Sequence, residues 1–156
     1  MGNSIVGTGY SFSDSGGGSG STEAKYLVFD GIAGQDLALG AVVRFDRAVN
    51  PGRILKAQAT DFDSSDAIGV TKSGATAAGS ITIYVGGEVP VNFDVAPPAS
   101  ANGSRVYVSQ GTTGVASLVI PTAPGVVYLV GRLTGANGAS LSPSVLLDLQ
   151  LISVLR

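Results

Sequence analysis

The sequence predicts an all-β fold, a compact antiparallel sandwich or barrel of about ten short strands with an extended N-terminal arm. Three observations lead there. From residue 24 onward, short β-branched and aromatic runs recur, several alternating apolar with polar positions. Turn signals separate these runs roughly every 8–12 residues, the spacing of sandwiches and barrels. Finally, 23 glycines and seven prolines punctuate the 156 residues, so little helix is expected beyond single turns.

Residues 1–23 form the arm and 24–156 the β-rich body. Seven arm residues are Gly and six are Ser, with the run SGGGSGST over 15–22. Such a stretch buries too little apolar surface to offset its ordering entropy. It reads either as an unanchored tail or as an arm held on a neighbouring subunit through Ile5, Val6, Tyr10 and Phe12.

In the body, Lys25–Phe29 (KYLVF) is β-branched and aromatic, and Ala41–Phe45 (AVVRF) follows the break at Gly40. Arg53–Ala59 (RILKAQA) follows Asn50-Pro51-Gly52, a turn signal by its Pro and Gly. Ala67–Thr71 (AIGVT) is short. Ser80–Val85 (SITIYV) alternates strictly and stops at Gly86-Gly87. Glu88–Val95 (EVPVNFDV) alternates as well, and Pro90 marks it as an edge strand or a bulge. Arg105–Ser109, Val115–Ile120, Val126–Leu133 and Val145–Leu155 complete the set. In the last of these, period two places Val145, Leu147, Leu149, Leu151, Ser153 and Leu155 on one face and a mixed set on the other. A helical reading competes there because leucine is a good helix former. Ala33–Leu39 could form one helical turn between Gly34 and Gly40.

Composition narrows the chemistry. There is no His, Cys or Trp, which excludes disulfides, Cys/His zinc sites and His-dependent nucleophilic catalysis. Net charge is −2 and the pI about 4.8, so no basic field attracts nucleic acid. Apolar runs are far shorter than the roughly 20 residues of a membrane helix, and the start MGNSIV lacks the features of a signal peptide. Only 13% of residues are charged, against about 25% in soluble proteins. Together with a mean hydropathy of +0.36, this suggests surface that is covered in use.

Candidate sites are few. Arg44, Arg47, Arg53 and Lys56 gather four of the nine basic residues in one short segment. They could meet an acidic partner, or they could pair with Asp36 or Asp46 at little gain. Asp61, Asp63 and Asp66 in DFDSSD offer hard oxygen donors, but the Gly and Glu of an EF-hand loop are missing. A solvated loop with Asx turns is the plainer reading. Asp30, Asp36, Glu88, Asp94 and Asp148 could in principle supply a carboxylate pair for glycoside hydrolysis. A body of this size leaves little room for the cleft. No catalytic, metal or cofactor residue is expected, and the protein is not expected to be an enzyme.

The order and spacing of DLALGAVVR (36–44), GRILKA (52–57), AIGVT (67–71), GSITIYVGGEV (79–89), GSRVYVS (103–109), GVAS (114–117) and VGRL (130–133) resemble a small all-β module of tailed bacteriophages. The resemblance is to capsid decoration (cement) proteins and related virion accessory proteins, over about 100 residues. The arm and the apolar last strand depart from that module. The resemblance implies a virion structural protein on the capsid exterior, made in the host cytoplasm, often a homotrimer, whose partner is the major capsid protein. It brings no catalytic residues. A tail, fibre or baseplate module for host attachment is the alternative.

Overall fold

The computed structural model describes residues 10–13 and 26–156. Each expected run contains a strand, the runs Glu88–Val95 and Val115–Ile120 only a short one: β1 (Tyr10–Ser13), β2 (Tyr26–Ile32), β3 (Val42–Phe45), β4 (Ile54–Lys56), β5 (Ala67–Thr71), β6 (Ser80–Gly86), β7 (Glu88–Pro90), β8 (Arg105–Val108), β9 (Ala116–Ser117), β10 (Gly125–Leu133) and β11 (Ser144–Leu155). They make a six-stranded sheet in the order β1-β2-β6-β5-β3-β4 and a five-stranded sheet in the order β7-β11-β10-β8-β9. Every strand pairing in both is antiparallel. Pro90 ends β7 at the edge of its sheet, where the missing N–H costs no ladder bond.

Successive residues of a strand point to opposite faces, so adjacent residues serve different cores. Val42 and Val70 of the first sheet meet Val89, Val106, Val108, Val130 and Val145 of the second in the layer between the sheets. Val43, Ile54, Ile81 and Ile83 face the other way and pack under Ala33, Leu37 and Ala41. The segment 33–41 is therefore a strap over the outer face of the first sheet. It is tied down by bridges from Ala33 to Ile54 and from Leu37 to Ala75. The helical turn considered for Ala33–Leu39 does not form, because burying Leu37 and two alanines on the sheet outweighs a single turn's weak propensity. A third, small cluster of Tyr107, Val127 and Leu129 lies on the outer face of the second sheet.

Among the described residues, helix is confined to one turn, α1 (Phe62–Ser65), and a 3-10 turn at Ala99–Ala101. Asp61 caps α1 by accepting the Ser64 N–H at 2.8 Å.

Two glycines allow the sheets to bulge. The pairing slips between Val43 and Arg44, and again between Leu129 and Gly131. A Cβ on Gly69 would collide with the Tyr84 carbonyl and lie 2.6 Å from Ile83. One on Gly131 would strike the Leu146 carbonyl. Both positions require the close backbone approach that only glycine permits.

β11 is a strand along its whole length, paired with β10 from Val145↔Leu133 to Leu155↔Gly125. A bulge at Ile152 alters the alternation expected from period two. Val145 packs between the sheets, whereas Leu155 joins Tyr107, Val127 and Leu129 on the opposite face. One extra residue opposite the partner strand reverses every side chain beyond it.

Of the expected arm, Ile5 and Val6 lie outside the described residues. Tyr10 and Phe12 belong to β1, which pairs with β2 of the same chain from Tyr10↔Phe29 to Ser13↔Tyr26. This stretch adds a strand to the chain's own sheet beside β2, which would otherwise be an unpaired edge there.

Candidate functional site

The four basic residues do not form one site. Arg47 pairs with Asp66, stands 3.8 Å from Asp63, and lies over the Phe62 ring at 5.7 Å. It thus fastens α1 to the turn after β3. Arg44 donates from Nη1 to the Phe45 carbonyl at 3.1 Å, and its buried Nε has no hydrogen-bond partner among the described residues. The stem of Lys56 packs beside Gly114. Arg44, Arg53 and Lys56 form no ion pair among the described residues.

The acidic residues are spent on local structure. Asp46 is buried and accepts the N–H groups of Ala48, Val49 and Asn50 at 2.8–3.1 Å, closing the turn between β3 and β4. The Ala48 and Asn50 N–H groups hold its carboxyl below the ordinary value of 3.8. The Ser64 N–H does the same for Asp61. Asp63 and Asp66 face Arg47. Among the described residues, no three acidic groups are placed to share a metal ion.

The carboxylates considered for hydrolysis are dispersed as well. Asp30 accepts from Thr82, Asp36 from the Ala77 N–H, Glu88 from Thr134, Asp94 from Ser109 and Asp148 from Gln150. Each has a different partner on a different part of the fold.

What the structure does assemble is apolar surface. β9 ends at Ser117, whose hydroxyl accepts the Val119 N–H at 3.1 Å and turns the chain away from the sheet. Val119 is then 73% exposed and Ile120 55%. Across a cleft of about 250 Å3 lie Val95, 72% exposed, with Pro97 and Pro98. Beside it, the Gln110 side chain accepts the Thr122 N–H and donates to the carbonyls of Thr122 and Pro124. That clamp holds the protruding 118–122 segment in place. Sequence reasoning placed Val119 and Ile120 inside a strand and so missed this patch. The available signal was the pair of apolar–proline steps, VAPP at 95–98 and LVIP at 118–121, because proline cannot continue a ladder.

A second apolar surface follows β11, where Leu146, Leu151, Ile152 and Val154 are all exposed. Among the described residues, no helix is long and apolar enough to cross a membrane. Compared with known proteins, the sequence matches no protein-family model and no curated protein.

Proposed function

We propose that this protein is a structural component of a bacteriophage virion, a decoration protein that cements the head by bridging neighbouring subunits of the major capsid protein. The observation that carries this reading is the exposed apolar patch of Val95, Pro98, Val119 and Ile120 on the β-sandwich. Apolar area removed from water at a shell contact contributes roughly 25 cal/mol per Å2, and it does so without chemistry. Asp46 and Asp61 are occupied in closing a turn and capping α1. Arg53 and Lys56 add positive charge for an acidic rim, and a homotrimer is the oligomer that the resemblance implies.

The test is copy number and competition on particles. A quantified gel of purified virions should show the protein in hundreds of copies per head. Heads stripped of it should rebind the added protein saturably and resist heat better once they do. Tens of copies or fewer, or location on the tail, would overturn the reading in favour of a host-attachment module.

A further inference from the structure

The apolar patch lies at the mouth of a split sheet edge. β9 is the last strand of its sheet. On its open side it makes one parallel bridge, between Phe93 and Ala116. There the Ala116 N–H donates to the Asn92 carbonyl at 2.7 Å and the Asp94 N–H to the Ala116 carbonyl at 3.1 Å. A parallel ladder would continue with the Leu118 N–H on the Asp94 carbonyl and the Ala96 N–H on the Leu118 carbonyl. Neither bond forms, and among the described residues no backbone hydrogen bond joins 95–98 to 118–121. Two features part the segments. The Val119 N–H turns back onto Ser117 Oγ, and Pro98, the next donor that ladder would need, has no N–H. The wedge between them is the cleft of about 250 Å3. Ala96 and Leu118 line it, and neither N–H has a partner among the described residues.

The charge at this wedge is single and acidic. A second cleft of about 260 Å3, lined by Ser109, Gln110 and Thr122, shares Asp94, Ser117 and Val119 with the first. Among the described residues, Asp94 alone of those lining either cleft is charged. It is exposed and forms no ion pair among the described residues. Its carboxylate is held in place, Oδ1 by the Val95 N–H at 2.9 Å and Oδ2 by the Ser109 hydroxyl at 3.2 Å. Both donors are neutral, so the charge is left uncompensated. We infer that the wedge takes an extended segment of the capsid subunit, with an apolar side chain among Val95, Pro98 and Val119 and a Lys or Arg on Asp94. Charge complementarity selects the cation. A wholly apolar segment would cover the carboxylate unpaired, and an acidic one would be repelled by it. The open N–H groups of Ala96 and Leu118 suit the backbone carbonyls of an extended chain, as in recognition by strand addition. The partner's identity rests on the proposed role in a virion; its chemistry is read from the wedge.

Co-sedimentation of the full chain with stripped heads tests it. Asp94→Asn removes the charge at nearly constant size and should weaken binding about tenfold. Asp94→Lys should weaken it further, because like charges then meet. Circular dichroism and melting of each variant check the fold. With p-benzoylphenylalanine in place of Ile120, illumination of decorated heads should cross-link the protein to one capsid segment. Mass spectrometry should find in that segment a Lys or Arg next to an apolar residue or two positions from it, the reach of an extended chain. Asp94→Asn binding as tightly as the natural protein, or Asp94→Lys binding more tightly, would overturn the inference and leave the proposed function standing. So would a cross-linked segment without a cation, or a cross-link to a second copy of this chain. Failure of the natural protein to bind stripped heads would instead overturn the proposed function, and this partner with it.

Discussion

At Gly131 the backbone of β10 passes so close to the Leu146 carbonyl of β11 that even one methyl group has no room. Gly131→Ala should therefore cost about 1–3 kcal/mol by overpacking, read as a lower urea midpoint at unchanged m-value. Asp46 works through its charge. Its carboxylate accepts three backbone N–H groups, and those bonds favour the ionised form. The folded protein binds that proton less readily than the unfolded chain does. Its contribution is thus fully present above about pH 4 and is lost as pH falls through the lower folded value. Asp46→Asn should melt below the natural protein at pH 7, and the difference should narrow below about pH 4. Equal gaps at both pH values would show that the charge is not what matters. Arg47, by contrast, sits in an exposed ion pair, and Arg47→Ala should cost under about 1 kcal/mol.

Among the elements, β9 and the segment after it have the clearest functional consequence. Only Ala116 and Ser117 belong to the ladder, and both are buried, whereas Val119 and Ile120 protrude. Val119→Asp with Ile120→Asp should leave the melting temperature nearly unchanged, because exposed substitutions stay within about 0.5 kcal/mol. Binding to stripped heads should fall at least tenfold, measured by co-sedimentation. Undiminished binding would remove this patch from the contact. The alternation of Val115–Ile120 was legible as a strand, but its early end was not. That end depends on Ser117 Oγ accepting the Val119 N–H and on Gln110, twelve residues away, clamping Thr122, and Pro121 was its one local signal.

For the whole molecule, the described members of all three buried clusters lie beyond residue 26 and pack on one another. Deleting residues 1–25 should therefore leave a cooperatively unfolding β protein, with far-UV circular dichroism close to that of the full chain. Loss of the cooperative transition would show that the N-terminal segment is part of the body. The same deletion compared on stripped heads would measure what that segment, with Ile5 and Val6, contributes to attachment.

Much of the architecture was determined by the sequence alone. Alternating runs such as SITIYV and the Gly/Pro breaks between runs specify strands and turns locally, because side-chain direction along a strand depends only on parity and a turn only on a few dihedrals. Tertiary structure decided the rest. The bulge at Ile152 reversed the facing of Leu155, the strap 33–41 became a cover in place of a helical turn, and Arg47 went to Asp66. These outcomes depend on which strand lies alongside and how closely its backbone approaches. Those distances are set by residues far apart in the chain, as Gly131 and Leu146 are.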